Sequence, residues 1–121
     1  MNEKDDNNTT VSLFKEEVEK FIKERDWSKY HTPKNLIQAL GIEVGELSEL
    51  FLFKEDNLDD VLKNKSLLEN IEDEIADIFI YLISLINTLG IDLTHVFIKK
   101  MEKNKKKYST KEFNNGIYYK K

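Results

Sequence analysis

The chain is organised around two acidic motifs, Ile42-Glu43-Val44-Gly45-Glu46-Leu47-Ser48-Glu49 and, roughly thirty residues later, Glu72-Asp73-Glu74-Ile75-Ala76-Asp77. Each motif lies in a segment whose other residues are mostly apolar. Because residues three apart share one face of a helix, Glu43 and Glu46 project together, and so do Glu74 and Asp77. If the two helices pack side by side, their carboxylates converge on one small volume. The motifs therefore predict two packed helices with an acidic site between them.

Such a cluster repels itself strongly at low dielectric, so it must bind protons or cations. Neither motif contains Cys or His. Oxygen ligands alone favour a hard divalent ion. The predicted metal ligands are Glu43, Glu46, Glu74 and Asp77, with Mg²⁺ as the expected ion and Mn²⁺ as the alternative.

These carboxylates also have plainer interpretations than a metal site. A Glu pair three residues apart is most often a solvated acidic face, but no Lys or Arg stands three or four residues from Glu43 or Glu46. Asp77 is the only charged residue between positions 75 and 91. An unpaired buried carboxylate costs several kcal/mol, so we expect Asp77 to be buried with a bound partner. Di-iron bundle proteins use Glu-x-x-His twice, and that motif does not occur here.

Composition limits the classes of protein that the chain can form. With 121 residues, 40% of them hydrophobic, one Pro and four Gly, the chain suits one compact, helix-rich domain. The net charge of −4 gives no reason to expect nucleic acid or a membrane as a partner. The chain has no Cys and opens with no signal segment, which agrees with a cytoplasmic protein. The apolar run from residue 75 to 91 is interrupted by polar side chains and predicts a buried helix, not a membrane span.

Periodicity and capping signals predict four helices and no strand, which implies an all-α, four-helix bundle. The predicted helices span about residues 12–25, 33–54, 66–89 and 93–108. Each start offers a capping side chain: Thr10 or Ser12, Thr32 before Pro33, Ser66 in a capping box with Glu69, and Asp92. Gly90 is the expected stop of the third helix.

The remaining segments complete the predicted organisation. Residues 1–11 are expected to form a flexible N-terminal tail, 12–108 the helical domain and 109–121 a C-terminal tail. The polar segment 54–65 predicts a loop with room for one short helical turn. Gly41 and Gly45 lie four residues apart, so they either allow close approach of another backbone or help to build the site. The second and third helices are apolar around most of their circumference, so we expect oligomerisation.

The lysine-rich end of the fourth helix has two interpretations. A solvated helix end is the usual one, because lysines there interact favourably with the helix dipole. The other is a phosphate-binding row, because Lys100, Asn104, Lys107 and Tyr108 fall on roughly one side. His31, just before Thr32, similarly predicts either loop structure or a substrate contact, and both interpretations remain open.

Taken together and in this order, the motifs resemble the all-α nucleoside triphosphate pyrophosphohydrolases of the MazG-like group, most closely the dCTP pyrophosphatase branch. The resemblance runs from about Phe21 to Gly116. Besides the acidic motifs, it includes Glu24-Arg25-Asp26-Trp27, His31-Thr32-Pro33-Lys34-Asn35-Leu36 and Lys100-Met101 through Asn104 to Lys107-Tyr108.

The resemblance implies residue roles and an assembly. Glu43, Glu46, Glu74 and Asp77 match the family's metal ligands, and the lysine-rich row with Asn104 and Tyr108 matches its phosphate contacts. Trp27, Phe53 and Tyr81 match positions near the nucleobase and sugar, and Phe53 stands where close relatives have Trp. The implied assembly is a homotetramer, a dimer of dimers, whose sites are lined by more than one subunit.

The resemblance also implies an activity. A (deoxy)nucleoside triphosphate, with dCTP preferred, would be hydrolysed to the monophosphate and pyrophosphate in nucleotide-pool housekeeping. Glu46 or Glu49 is expected to orient or deprotonate the attacking water. Two alternatives remain: a non-catalytic helical dimerisation module of the same fold, and a hydrolase of another phosphorylated metabolite. The intact acidic cluster speaks against the module.

Overall fold

A computed structural model describes residues 3–54 and 57–121, and within these ranges the chain forms helices, turns and irregular segments without a strand. The predicted all-α class is therefore confirmed. The α-helices are α1 (Val11–Glu24), α2 (Pro33–Glu49), α3 (Leu58–Lys63), α4 (Lys65–Leu89) and α5 (Leu93–Lys107), with a 3₁₀ turn at Ser28–Tyr30. The described residues thus contain five α-helices where four were predicted, because the polar segment after α2 forms α3. Two residues of that predicted loop, Glu55 and Asp56, lie outside the described ranges.

Local capping chemistry sets the starts of α1, α2 and α5 as predicted. The Thr10 hydroxyl accepts a hydrogen bond from the amide of Leu13 at 3.2 Å. The Thr32 hydroxyl accepts one from the amide of Asn35 at 3.3 Å. Asp92 caps α5 in the same manner, through the amide of residue 95 at 2.8 Å. Each side chain satisfies an amide that has no partner within its own helix.

The predicted start of α4, at residue 66, is wrong by one residue. The helix begins at Lys65, and its cap is Asn64, whose side-chain oxygen accepts from the amide of Leu67 at 3.0 Å. Ser66 consequently lies inside the helix and not at its cap. The physical reason is α3, which ends at Lys63, so that Asn64 is both the C-cap of α3 and the N-cap of α4.

The end of α2 also differs from the prediction, which extended it to about Lys54. After Glu49 the amides of Leu50, Phe51 and Leu52 bond to carbonyl oxygens three residues back, which tightens the chain into turns. Phe53 then adopts a left-handed conformation with φ of 59°. The left-handed residue ends any continuation of the helix.

The chain divides into two compact units, one ending at Gly90 and one beginning at Ile91. Gly90 has φ of 65°, the left-handed stop expected after α4. In the first unit α4 is the central helix and packs against α1, α2 and α3. Its core is small and consists of Ile22, Leu36, Ile83 and Ile86. Among the described residues, no single helix is both long and apolar enough to cross a membrane.

In the second unit, residues 109–121 fold back along the end of α5. Tyr108, Phe113 and Tyr119 form a row of rings with centroid separations of 5.3 and 4.8 Å. The backbone amide of Lys121 donates to the Tyr108 hydroxyl at 2.9 Å. The predicted domain limits, at residues 12 and 108, stay predictions.

Candidate functional site

The packing of α2 against α4 brings three carboxyl groups together. Glu43 and Glu46 are one turn apart on α2, and Glu74 lies on α4. One oxygen from each of the three lies within 4.8 Å of the other two. The convergence that the spacing predicts is therefore found for these three residues.

Two oxygens of this acidic cluster are buried without a donor. As carboxylates, Glu43 Oε2 and Glu74 Oε2 have no hydrogen-bond partner within the described part of the chain. A proton on Glu43 lets its carboxyl group donate to Glu74, and this raises the pKa of Glu43 from its ordinary value of 4.5 to about 7. Burial and the nearby charges of Glu46 and Asp77 act in the same direction. The cluster thus holds a proton close to neutrality when nothing else neutralises it.

The donor set of the cluster fits a metal ion. None of the ion pairs found among the described residues involves Glu43, Glu46 or Glu74. Two partnerless buried oxygens and a third carboxylate at the same point can hold a divalent cation, which would neutralise charge that no Lys or Arg neutralises here.

Asp77 does not have the environment that the sequence predicted. It is exposed and not buried, and it stands outside the group of three. Its side of α4 borders an open cleft, so the cost of burying an unpaired carboxylate does not arise there. Asp77 nevertheless lies near enough to Glu43 for its charge to raise the pKa of that residue.

An aromatic cleft of about 740 Å³ opens beside the acidic cluster, within the first unit. Five predicted site residues line it: Trp27, His31, Glu43, Asp77 and Tyr81. Carboxylates and aromatic rings therefore border one space. A cleft of this size is in the range that holds a small-molecule ligand.

The cleft also contains residues that the sequence did not assign to a site. The Phe14 ring meets Phe79 edge-on at 5.3 Å between centroids, and Phe21 meets Trp27 edge-on at 5.9 Å. The guanidinium of Arg25 lies 3.8 Å from the centre of the Phe21 ring. In the sequence Phe14 and Phe21 belong to the apolar stripe of an amphipathic helix, and that pattern does not separate core residues from cleft residues.

His31 is tied to α4 and lines the cleft as well. Its ring Nδ1 lies 3.1 Å from the hydroxyl of Ser84, and Thr88 Oγ1 lies 3.4 Å from the His31 carbonyl oxygen. Ser84 is 3% exposed. The structure thus supplies the loop-structural interpretation of His31 and leaves the substrate contact open. Ser84 was missed because a single Ser in an apolar helix carries no signal of its partner.

Two predicted residues of the first unit, Phe53 and Glu49, belong neither to the acidic cluster nor to the lining of the cleft. Phe53 is fully exposed in the turn after α2. Because α2 ends at Glu49, Phe53 does not lie on the last turn of that helix, where the predicted span of 33–54 placed it. Glu49 is exposed and lies outside the group of three carboxylates.

The predicted phosphate contacts all lie on α5, in the second unit. Lys100 and Lys107 are exposed, whereas Asn104 and Tyr108 are half-buried. The Tyr108 amide donates to the Asn104 carbonyl at 2.8 Å, and the Lys107 ammonium lies 5.6 Å from the centre of the Tyr108 ring. Their role toward phosphate stays a prediction.

A family model shows to which protein family this chain belongs. The model described as the MazG-like family matches residues 39–120, well over half of the chain. The chain belongs to the MazG-like family. The resemblance inferred from the sequence motifs is thereby confirmed.

Individual relatives agree with this membership. Over 92 residues the MazG-like chain is 39% identical to dCTP pyrophosphatase 1 of Mus musculus, covering 73% of this chain and 52% of the relative. The human protein of the same name is 39% identical over 90 residues, with 73% and 52% covered. The chain spans about half the length of these curated relatives. A solved pyrophosphatase from Archaeoglobus fulgidus has a TM-score of 0.71 and 34% identity, covering 90% of this chain and 98% of that one.

Proposed function

We propose that this MazG-like chain is a nucleoside triphosphate pyrophosphohydrolase. It would convert a (deoxy)nucleoside triphosphate, dCTP first, to the monophosphate and pyrophosphate. The observation that carries the proposal is the acidic cluster with its partnerless buried oxygens, opening beside an aromatic cleft. The names of the relatives, dCTP pyrophosphatase 1 and a pyrophosphatase, support it.

The proposed metal is Mg²⁺, because the cluster offers only carboxylate oxygens. Glu43, Glu46 and Glu74 would hold it, with Asp77 contributing from the edge of the cleft. When bound, the ion supplies positive charge that neutralises phosphate oxygens and favours deprotonation of water.

The proposed chemistry is in-line hydrolysis at phosphorus. A water oxygen forms a bond to the α-phosphorus, the anhydride bond to the β-phosphate breaks, and pyrophosphate leaves with the electron pair. Glu46 or Glu49 would accept the proton from that water. Both carboxyl groups are exposed, so either can exchange the proton with solvent after each turnover.

The proposed substrate contacts divide between base and phosphates. Trp27 and Tyr81 would hold the base and sugar in the cleft, because stacking on aromatic rings is worth about 1–3 kcal/mol per base. Lys100, Asn104 and Lys107, with Tyr108, would hold the phosphates by charge and hydrogen bonds.

The proposed assembly is a homo-oligomer, a tetramer built as a dimer of dimers. Ile42 is 63% exposed and Ile37 is 57% exposed on α2. Among the described residues, a Cβ at Gly41 or Gly45 would meet no atom within 4 Å beyond its chain neighbours and the nearby backbone of α2, so this face has room for another helix. Phe53, which is fully exposed, would then serve a site shared with a second subunit.

The test is a product assay over a panel of nucleoside triphosphates with Mg²⁺, separating pyrophosphate from orthophosphate. We expect dCTP to give dCMP and pyrophosphate, and we expect Glu74→Gln to abolish the reaction. Glu72→Gln is the matched control, because it removes the same charge from an exposed position on the same helix, outside the cluster. Orthophosphate as the only inorganic product would contradict the proposal. Self-association without any turnover would favour the non-catalytic dimerisation module.

A further inference from the structure

The hydroxyl of Ser84 is the buried polar group that contacts His31 at the cleft. We propose that Ser84 is a positioning residue that fixes His31 as the Nε2–H tautomer, so that the imidazole presents a hydrogen-bond donor to the substrate. The donor would favour a base that offers an acceptor at that point, which selects cytosine over uracil and thymine.

The assignment of the proton follows from the partners of Ser84. Its hydroxyl lies 3.1 Å from His31 Nδ1, and this is the one hydrogen bond that its oxygen makes among the described residues. If Nδ1 carried the proton, the Ser84 hydroxyl would accept it and leave its own proton without an acceptor. An unsatisfied donor at a position that is 3% exposed is costly. The hydroxyl therefore donates to Nδ1, and in the neutral ring the proton is on Nε2.

The backbone around the His31 ring is held in place by further hydrogen bonds from α4 and α2. Thr88 Oγ1 donates to the Ser84 carbonyl at 2.9 Å and lies 3.4 Å from the His31 carbonyl, so one hydroxyl connects the backbone of both residues. On the other side, the Asn35 side chain donates to the Tyr30 carbonyl at 3.0 Å. Both the imidazole and the backbone around it are thus anchored, and a fixed ring gives a directional donor.

The other ring nitrogen is available to a ligand. Nε2 of His31 has no hydrogen-bond partner within residues 3–54 and 57–121. His31 lines the cleft together with Trp27 and Tyr81. A donor with no protein partner at the wall of a ligand-sized cleft is a typical specificity group.

The chemistry of the bases then gives the direction of selection. The inference takes the His31 donor to face N3 of the base, because O2 is an acceptor in all three pyrimidines and cannot distinguish them. N3 of cytosine accepts a hydrogen bond, whereas N3 of uracil and thymine carries a proton and would face the proton of His31. A site that hydrogen-bonds one base leaves its group unpaired with the other, which lowers kcat/KM. This step rests on the proposed function, because it takes the ligand to be a nucleoside triphosphate.

The tautomer is tested first, without any substrate. A long-range ¹H–¹⁵N correlation spectrum of the full chain distinguishes protonated from unprotonated ring nitrogens, and it is recorded at about pH 8.5, where an ordinary imidazole is neutral. The chain has two His residues, so His95→Gln identifies the His31 signals. We expect the proton on Nε2 in the unmodified protein and a mixture of tautomers in Ser84→Ala. A proton on Nδ1 in the unmodified protein would overturn the inference.

The selection is tested by the ratio of kcat/KM for dCTP to that for dUTP. We expect Ser84→Ala to lower this ratio about five- to tenfold, the loss expected for one directed hydrogen bond, and Ser84→Thr to restore it. Ser66→Ala is the control, since it removes the same hydroxyl from an exposed position near the start of α4, so the ratio should hold. An unchanged ratio in Ser84→Ala would overturn the selection. If no nucleotide is hydrolysed, the proposed function and the selection fail together, while the tautomer result stands or falls separately.

Discussion

At the scale of single residues, Glu43 and Glu74 determine what the site can bind. Each places one buried oxygen where no donor of the described chain reaches it. Charge in that position must be neutralised by a proton or by a cation, and the two compete for the same oxygens. Spacing alone predicted that Glu43, Glu46 and Glu74 converge. It did not predict the exposure of Asp77, because exposure depends on which side of α4 faces the cleft.

A first prediction concerns Glu74→Gln in metal-free protein. The amide can donate to Glu43 and removes one of the mutually repelling charges, so the melting temperature should rise by about 4–8 °C, the equivalent of roughly 1 kcal/mol. Thermal unfolding in the presence of a chelator measures it. Glu72→Gln, at an exposed position of the same helix, should change it by less than half as much. Equal shifts in both variants would mean that only net charge matters.

A second prediction concerns pH. The pKa of Glu43 is raised from 4.5 to about 7, so the folded protein binds more protons than the unfolded chain between these values. The stability that this provides is complete below the unfolded pKa and is lost as the pH rises through the folded one. The melting temperature of the metal-free protein should therefore fall from about pH 5 to about pH 8, and Glu43→Gln should reduce the fall. A melting temperature that rises over this range in metal-free protein would contradict the proton-sharing cluster.

At the scale of elements, α4 carries the fold of the first unit, because α1, α2 and α3 all pack on it. Features that depend only on neighbouring residues in the sequence were predicted correctly: the Thr10, Thr32 and Asp92 caps and the left-handed Gly90. The predicted helix ends that are wrong are those whose position depends on the adjacent helix or turn. A capping box at Ser66 was outweighed by Asn64, which α3 places at the start of α4. The end of α2 depends on a turn whose residues gave no Gly or Pro signal.

A third prediction belongs to α5. Lys100 shares a side of the helix with Asn104 and Tyr108, so Lys100→Ala should raise KM for the triphosphate about ten-fold, the loss of roughly one charge-assisted hydrogen bond. Lys103→Ala and Lys106→Ala remove the same charge at exposed positions of the same helix. They should change KM less than threefold. Steady-state kinetics of the three variants at one ionic strength decides, and equal effects would point to general positive charge.

At the scale of the whole molecule, the small core of the first unit leaves much apolar surface on α2 uncovered. Large exposed apolar patches mark interaction surfaces. The sequence predicted oligomerisation from the apolar circumference of this helix. It could not show how little of that surface the chain buries by itself, since burial is a property of the packed helices.

A fourth prediction tests the assembly through Gly41→Leu. Among the described residues a Cβ at Gly41 meets open space. Leu is also a better helix former than Gly by roughly 0.5–1 kcal/mol, so we expect the subunit to fold. Between two copies packed at this face it would clash and shift the protein toward smaller species. Sedimentation velocity measures the change, with Lys34→Ala in the first turn of α2 as the control. An unchanged mass for Gly41→Leu would place the interface elsewhere.

The most direct measurement of the central claim, that the acidic cluster holds a divalent cation, is a Mg²⁺ titration followed by melting temperature. A ligand that binds only the folded state stabilises it by about 2.7 kcal/mol at a hundredfold excess over its dissociation constant. We expect the unmodified protein and Glu72→Gln to show a saturable rise, and Glu74→Gln to show none. A flat titration of the unmodified protein at millimolar Mg²⁺, or an undiminished rise in Glu74→Gln, would contradict the account.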